Sequence, residues 1–209
     1  MQKLAYLKPL FLFIILMISS TLSLATELDA KQQLQAKLAL LVSYQANFSQ
    51  TVVDIENSVL QQATGRIVMQ QPNKLYWELF APNESVLLAD GQSIWSIDPF
   101  LEQVVAYKAD TTLKNNPLIL LTDPNSEKWD EFKVSHSKQQ FFISAIAPNG
   151  GIESLRLTFK GDRLVELESQ DGQQQKSLLT FSEIQQNNPI AAGTFVFEMP
   201  EGYELDDQR

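Results

Sequence analysis

The chain has 209 residues, 44% of them hydrophobic, with 16 basic against 25 acidic side chains and a formal charge of −9. That acidic balance argues against nucleic acid or an anionic bilayer surface as a partner. The absence of cysteine removes disulfides, thiolate metal sites and acylation on cysteine.

Residues 1–25 read as an export sequence. Lys3 and Lys8 give a positive start, Leu10 to Ile18 is an apolar run, and Ser23-Leu24-Ala25 suits a signal peptidase. The apolar run is shorter than the ~20 residues a spanning helix requires. Cleavage after Ala25 is therefore expected, leaving 26–209 as a single domain. Its charge would be more negative by the two lysines removed.

Leu34, Leu38 and Leu41 recur at helical spacing and predict a helix over 27–44, with Leu28 near the same stripe and Lys31, Gln32 and Gln35 elsewhere. Strand patterns begin near Phe48. The stretch 71–100 predicts three strands separated at Pro82-Asn83 and Asp90-Gly91. In the first of them Leu75, Trp77 and Leu79 point one way, while Tyr76 and Phe80 point the other, beside Lys74 and Glu78. A second, short helix is predicted over 117–121, capped by Asn116 and apolar nearly all round.

Asn149-Gly150-Gly151, Gly161-Asp162 and Asp171-Gly172 mark further turns, too short for crossover helices, so the sheet should be antiparallel. Around Gly161-Asp162 two registers remain open, pairing Phe159 with Leu164 or with Arg163. The expected class is mainly β with an α cover: one strongly curved antiparallel sheet with two helices over its concave side.

Catalytic chemistry is not visible. His136 is the single histidine, on an alternating, half-polar strand, whereas metal sites built on histidine use two or three. No nucleophile elbow, zinc-binding helix or glycine-rich phosphate loop occurs. Glu166 and Glu168 read as a solvated outer face. Asp206 and Asp207 lie in the last four residues, where mobility is expected. No catalytic residue, metal or cofactor is expected.

The apolar surplus admits two readings. Trp77, Trp95 and Trp129, with Phe48, Phe80, Phe100, Phe141 and Phe142, spread over many predicted strands. They can fill a permanent core, or line a cavity that opens. A helix as short as 117–121 is unstable without a partner surface and could shift as a lid.

Several segments carry a resemblance. YQANFSQ at 44–50, GRIVMQQPN at 65–73, WELFAPNES at 77–85, LLADGQSIWSIDPFLEQ at 87–103 and the tail FVFEMPEGYELDDQR at 195–209 resemble the LolA family of periplasmic lipoprotein carriers. The resemblance implies an incomplete antiparallel barrel, lidded by helices, around a hydrophobic cavity. Members act as monomers in the Gram-negative periplasm. They take acylated lipoproteins from an ATP-driven, ABC-type inner-membrane complex, LolCDE, and pass them to the outer-membrane receptor LolB. LolB shares the fold but is itself acylated on a cysteine, which this chain lacks.

The lipid-binding set so implied is Leu34, Leu38, Leu41, Tyr44, Phe48, Val68, Leu75, Trp77, Leu79, Leu118 and Leu121, each of which also reads as core. Family members commonly carry arginine before the Pro-Asn pair, bonded to carbonyls of the lid helices. Gln71 stands there in this chain. An amide has two donors and no charge, so a looser lid or a latch made elsewhere is expected. Arg66 is a weak substitute, because odd strand spacing aims it at the opposite face. The alternatives are a soluble periplasmic binder of other lipids or small hydrophobic molecules, and an envelope hydrolase.

Overall fold

The computed structural model describes residues 22–109, 120–147 and 152–209, with side chains in the first helix from Ala30 onward. Helix α1 (Leu22–Ala39) precedes twelve described strands. They are β1 (Ser43–Val53), β2 (Val59–Gln70), β3 (Lys74–Leu79), β4 (Ser85–Asp90), β5 (Ser93–Asp98), β6 (Gln103–Lys108), β7 (Phe132–Ser137), β8 (Gln140–Ala145), β9 (Ile152–Lys160), β10 (Arg163–Asp171), β11 (Lys176–Gln186) and β12 (Glu204–Asp207). All belong to one sheet, ordered β12-β6-β5-β4-β3-β2-β1-β11-β10-β9-β8-β7. The sheet stays open, with β12 and β7 at its edges.

The three strands predicted within 71–100 are β3, β4 and β5. At Gly161-Asp162 the structure selects the two-residue loop, pairing Phe159 with Leu164. One expectation needs correcting: neighbouring strands are antiparallel except that β12 runs parallel to β6. The long connection from β11 makes this possible, since it spans the six strands that separate β11 from β12.

The first helix also differs from its predicted span. It starts at Leu22, so the expected cleavage point lies inside it, and it stops at Ala39. Tyr44, expected at the helix end, sits in β1 instead. Leucine periodicity continues through Leu41, so the pattern alone could not show the stop. Tertiary bonds impose it: the Gln71 N–H donates to the Val42 carbonyl at 3.0 Å, which draws the chain into the sheet. Of the predicted helix over 117–121, Leu120 and Leu121 are described and helical. Asn116, Pro117, Leu118 and Ile119 lie outside the described residues, as does the turn at 149–151.

Period-two alternation divides the sheet into two faces. On the concave face, Ala46 of β1, Ile67 and Met69 of β2, and Leu155, Leu157 and Phe159 of β9 join Leu34, Leu38 and Leu41 of α1 in one core. Both halves of the sheet contribute to this core, so the sheet bends around the helix. On the convex face a smaller cluster of Leu88, Trp95, Val104 and Ala106 packs with Tyr76, Ile97, Phe197 and Tyr203. Phe197 and Tyr203 belong to the β11–β12 connection, which crosses the back of the sheet as a strap.

The chain end is ordered, against expectation. Arg209 donates to the Asp207 carboxylate from Nε at 2.8 Å and from Nη2 at 2.6 Å, and to Ser93 Oγ at 3.3 Å. Its guanidinium lies 4.8 Å from the Trp95 ring centroid, and Phe197 stacks on the same indole at 3.9 Å. Docking of the tail on Trp95 supplies the order that its composition does not advertise. Glu166 and Glu168 are not simply solvated either: Arg156 reaches them at 3.9 and 2.5 Å.

The Arg209 guanidinium holds the Asp207 carboxyl down to about 2. A depressed acid favours the docked tail above the ordinary carboxylate range, and that contribution fades as pH falls through about 2. Carbon-detected NMR titration should therefore place the Asp207 midpoint well below ~3.9. Arg209→Ala should return it to that ordinary range.

Candidate functional site

The concave face is built by side chains from α1 and from strands on both sides of it. Leu34, Leu38 and Leu41 project from the helix and its exit, and Leu75 of β3 is fully buried opposite. Trp77 and Leu79 continue the same face as half-buried side chains packed on the core. Phe48 stacks on Trp77 at 4.1 Å. That stack depends on Gly65, the cross-strand partner of Phe48, because a Cβ there would collide with the Phe48 ring and the Glu78 carbonyl.

Tyr44 is buried, and its hydroxyl donates to the Leu164 carbonyl at 2.9 Å. Burial pushes that hydroxyl above its ordinary range, so it remains a neutral donor. A small internal space remains here, about 10 Å³, bounded by Leu38, Leu41, Met69, Gln71, Leu121, Thr122 and Leu164. That is room for about one water and not for an acyl chain.

A wider space of about 440 Å³ lies at the rim, between α1 at Gln33, Ala36 and Lys37 and the turns at Lys138, Gln139 and Gly161. Phe141 and Phe159 form its apolar wall and also belong to the core. His136 lines this trough, exposed and stacked on Phe141 at 4.5 Å.

The structure therefore brings together Leu34, Leu38, Leu41, Tyr44, Phe48, Leu75, Trp77, Leu79 and Leu121. Val68 is a correction. It pairs with Tyr76, so it faces the convex side, and its neighbours Ile67 and Met69 take the concave positions. Leu118 lies outside the described residues.

Gln71 lies at the exit of the covering helix α1. Its amide donates to the Leu38 and Leu41 carbonyls at 2.7 and 2.9 Å, at the exit of α1. A second amide, which sequence reasoning missed, grips the same exit from the other side. Asn187 Oδ1 accepts from the Val42 and Ser43 N–H groups at 2.9 and 3.3 Å, and Nδ2 donates to the Leu40 carbonyl at 2.9 Å. Its own N–H donates to the Ser43 carbonyl at 2.8 Å, from a left-handed φ of 59°. Asparagine tolerates that conformation better than most residues. The Asn-Asn-Pro sequence after β11 was the available turn signal. Arg66 is on the convex face, paired with Glu78 at 2.5 Å.

Along its length α1 is tethered by polar side chains. Lys31 Nζ donates to the Trp129 carbonyl at 2.6 Å, Gln35 to the Pro124 carbonyl at 2.9 Å, and Lys37 to Gly161 O and Asp162 at 2.9 and 2.6 Å. Among the described residues no group of three His, Cys, Asp or Glu side chains could hold a metal. No described helix is long and apolar enough to cross a membrane.

An open, helix-covered sheet of this kind has known counterparts. The sequence profile described as "Outer membrane lipoprotein carrier protein LolA" matches residues 40–198. The chain belongs to the LolA family. An outer-membrane lipoprotein carrier protein of Aeromonas salmonicida is 34% identical over 198 residues, covering 93% of this chain and 98% of that protein. Its counterpart in Proteus mirabilis is 34% identical over 193 residues, covering 87% and 90%. The crystal structure of an uncharacterized conserved protein from Thermus thermophilus shares the fold, with a TM-score of 0.53 and 12% identity over 85% of this chain and 98% of that one.

Within this LolA-family fold, the Gln71 and Asn187 amides together occupy the polar backbone groups around the α1–β1 junction. Asn187→Ala leaves two N–H groups and one carbonyl without their partner, at a cost of about 1–2 kcal/mol. Amide exchange at Val42 and Ser43 should accelerate about tenfold or more, while amides of β9 and β10 stay unchanged. Uniform acceleration across the sheet would show that Asn187 supports the whole fold and not the junction.

Proposed function

We propose that this chain is a periplasmic carrier for the acyl chains of lipoproteins. It would receive them from the ATP-driven inner-membrane complex LolCDE and yield them to the outer-membrane receptor LolB, with no bond made or broken on the cargo. The observation that supports this most directly is an apolar concave face covered by α1 and by the helical residues Leu120 and Leu121, in a member of a family of lipoprotein carriers. The implied lipid-contacting side chains are Leu34, Leu38, Leu41, Tyr44, Phe48, Leu75, Trp77, Leu79, Leu118 and Leu121.

Cargo that covers this face would displace α1 from it, and magnitudes decide whether cargo can drive that exchange. Exposing Leu34, Leu38 and Leu41 would cost about 1.5–3 kcal/mol each. Burying an acyl chain returns ~0.8 kcal/mol per methylene, so about six to eleven methylenes offset the three leucines. The tethers of α1 at the rim can be exchanged for water at a net cost of about 0.5–3 kcal/mol each. With the rim tethers counted as well, about one to two long chains are enough. The carrier thus substitutes cargo for its own helix as the cover of the sheet.

Direction then comes from the partners. Cargo passes to the receptor only if the receptor holds acyl chains more tightly than this site does. The acidic net charge would steer the carrier toward basic surfaces on both partners.

Native mass spectrometry of the protein isolated from its own periplasm tests the proposal. Bound, acylated lipoprotein is the expected result. Free phospholipid alone would instead indicate a general lipid binder, and an empty protein in cells rich in lipoprotein would refute the carrier reading. Raising salt should slow transfer to the receptor, and a salt-independent rate would remove charge steering from the scheme.

A further inference from the structure

The turn joining β5 to β6 exposes two large apolar side chains on a braced backbone. Phe100 is 91% exposed and Leu101 62%. Neither belongs to the concave core or to the convex cluster. The backbone beneath them is tied down from both sides. The Asp98 carboxylate accepts from the Phe100 and Leu101 N–H groups at 2.9 and 3.0 Å. Glu102 adopts a left-handed φ of 51°, and its carbonyl accepts from the Glu204 N–H at 2.9 Å. The start of β12 therefore braces the tip.

Such a tip is unfavourable to leave in water. A polar turn would close the hairpin equally well, because the turn's own bonds come from Asp98 and the backbone. Rigid presentation matters for binding, since an anchor already held in position loses little entropy on docking. Aromatic side chains in that situation are the usual energetic centres of protein interfaces.

The charges around the tip select the occupant. Glu102 and Glu204 are exposed beside it, and Asp206 and Asp207 continue along β12. Arg209 is the one cation of that tail, and Asp207 already pairs with it. An acidic collar repels an anionic bilayer surface. It matches a protein cleft that is apolar inside and rimmed with lysine or arginine.

We infer that Phe100 and Leu101 form a docking wedge for a partner protein, entering an apolar cleft with a basic rim. The inference rests on the carrier reading, which supplies a need for partners, but it concerns side chains that are not part of the concave core. The wedge gives the carrier a grip that does not compete with acyl chains for the concave face. Docking and cargo transfer are then separable steps.

The test compares the full exported protein with a Phe100→Ser, Leu101→Ser variant and a Glu102→Lys, Glu204→Lys variant. The probes are the purified water-soluble part of the outer-membrane receptor and the purified periplasmic domain of the inner-membrane complex. The serine variant should bind at least one probe tenfold or more weakly, with thermal melting and uptake of a fluorescent acyl probe unchanged. The lysine variant should associate with it more slowly, and with a weaker salt dependence. Wild-type affinity of the serine variant for both probes would overturn the wedge while leaving the carrier reading intact. Tip-dependent sedimentation with phosphatidylethanolamine–phosphatidylglycerol vesicles would also overturn it, by assigning the tip to a bilayer. Failure of the wild-type protein to bind either probe would remove both the wedge and the partners proposed for the carrier.

Discussion

Everything in this fold depends on how the apolar concave face of the sheet is covered. A curved sheet carrying Leu75, Ile67, Met69, Leu155 and Leu157 on one side cannot leave that side in water. Helix α1 lays Leu34, Leu38 and Leu41 across it, and Leu120, Leu121 and Trp129 join them in the core. The same contact defines the candidate site, because whatever else covers this face must replace the helix. Core and site are thus one surface with two possible covers, and the small internal space of about 10 Å³ belongs to the helix-covered form.

The division of labour between apolar and polar contacts follows from that requirement. Apolar burial holds α1 against the sheet without direction, and so would tolerate substitution by an acyl chain. Polar bonds fix where the helix lies. Lys31, Gln35 and Lys37 reach carbonyls on the opposite rim, while Gln71 and Asn187 secure the junction with β1. An uncharged glutamine suits that junction: it satisfies two carbonyls without burying a cation. Asn187 also begins the strap over the convex face, so the junction of α1 and the C-terminal segment share one anchor.

The convex side solves a different problem. Tyr76, Leu88, Trp95 and Ala106 make a second apolar surface on strands already committed to the concave core. Phe197 and Tyr203 cover it from the strap, and β12 pairs with β6 at what would otherwise be an open edge. Acidic residues along β12 keep the new edge from pairing with another chain.

Alternation and spacing in the sequence determined much of this. Leu75, Trp77 and Leu79 were separable from Tyr76 by period two alone, and the three strands within 71–100 followed from their turn residues. The leucine stripe of α1 was an equally local fact. Tertiary structure decided the remainder. Helix α1 ends at Ala39 because bonds from distant residues capture its exit, which no local pattern contains. Val68 faces outward because pairing with β3 gives the inward positions to Ile67 and Met69. The tail is ordered because Arg209 meets Trp95, far away in the numbering and adjacent only after folding. Local sequence specifies periodicity and turns, whereas the partner of a polar side chain is set by which strands the fold brings side by side.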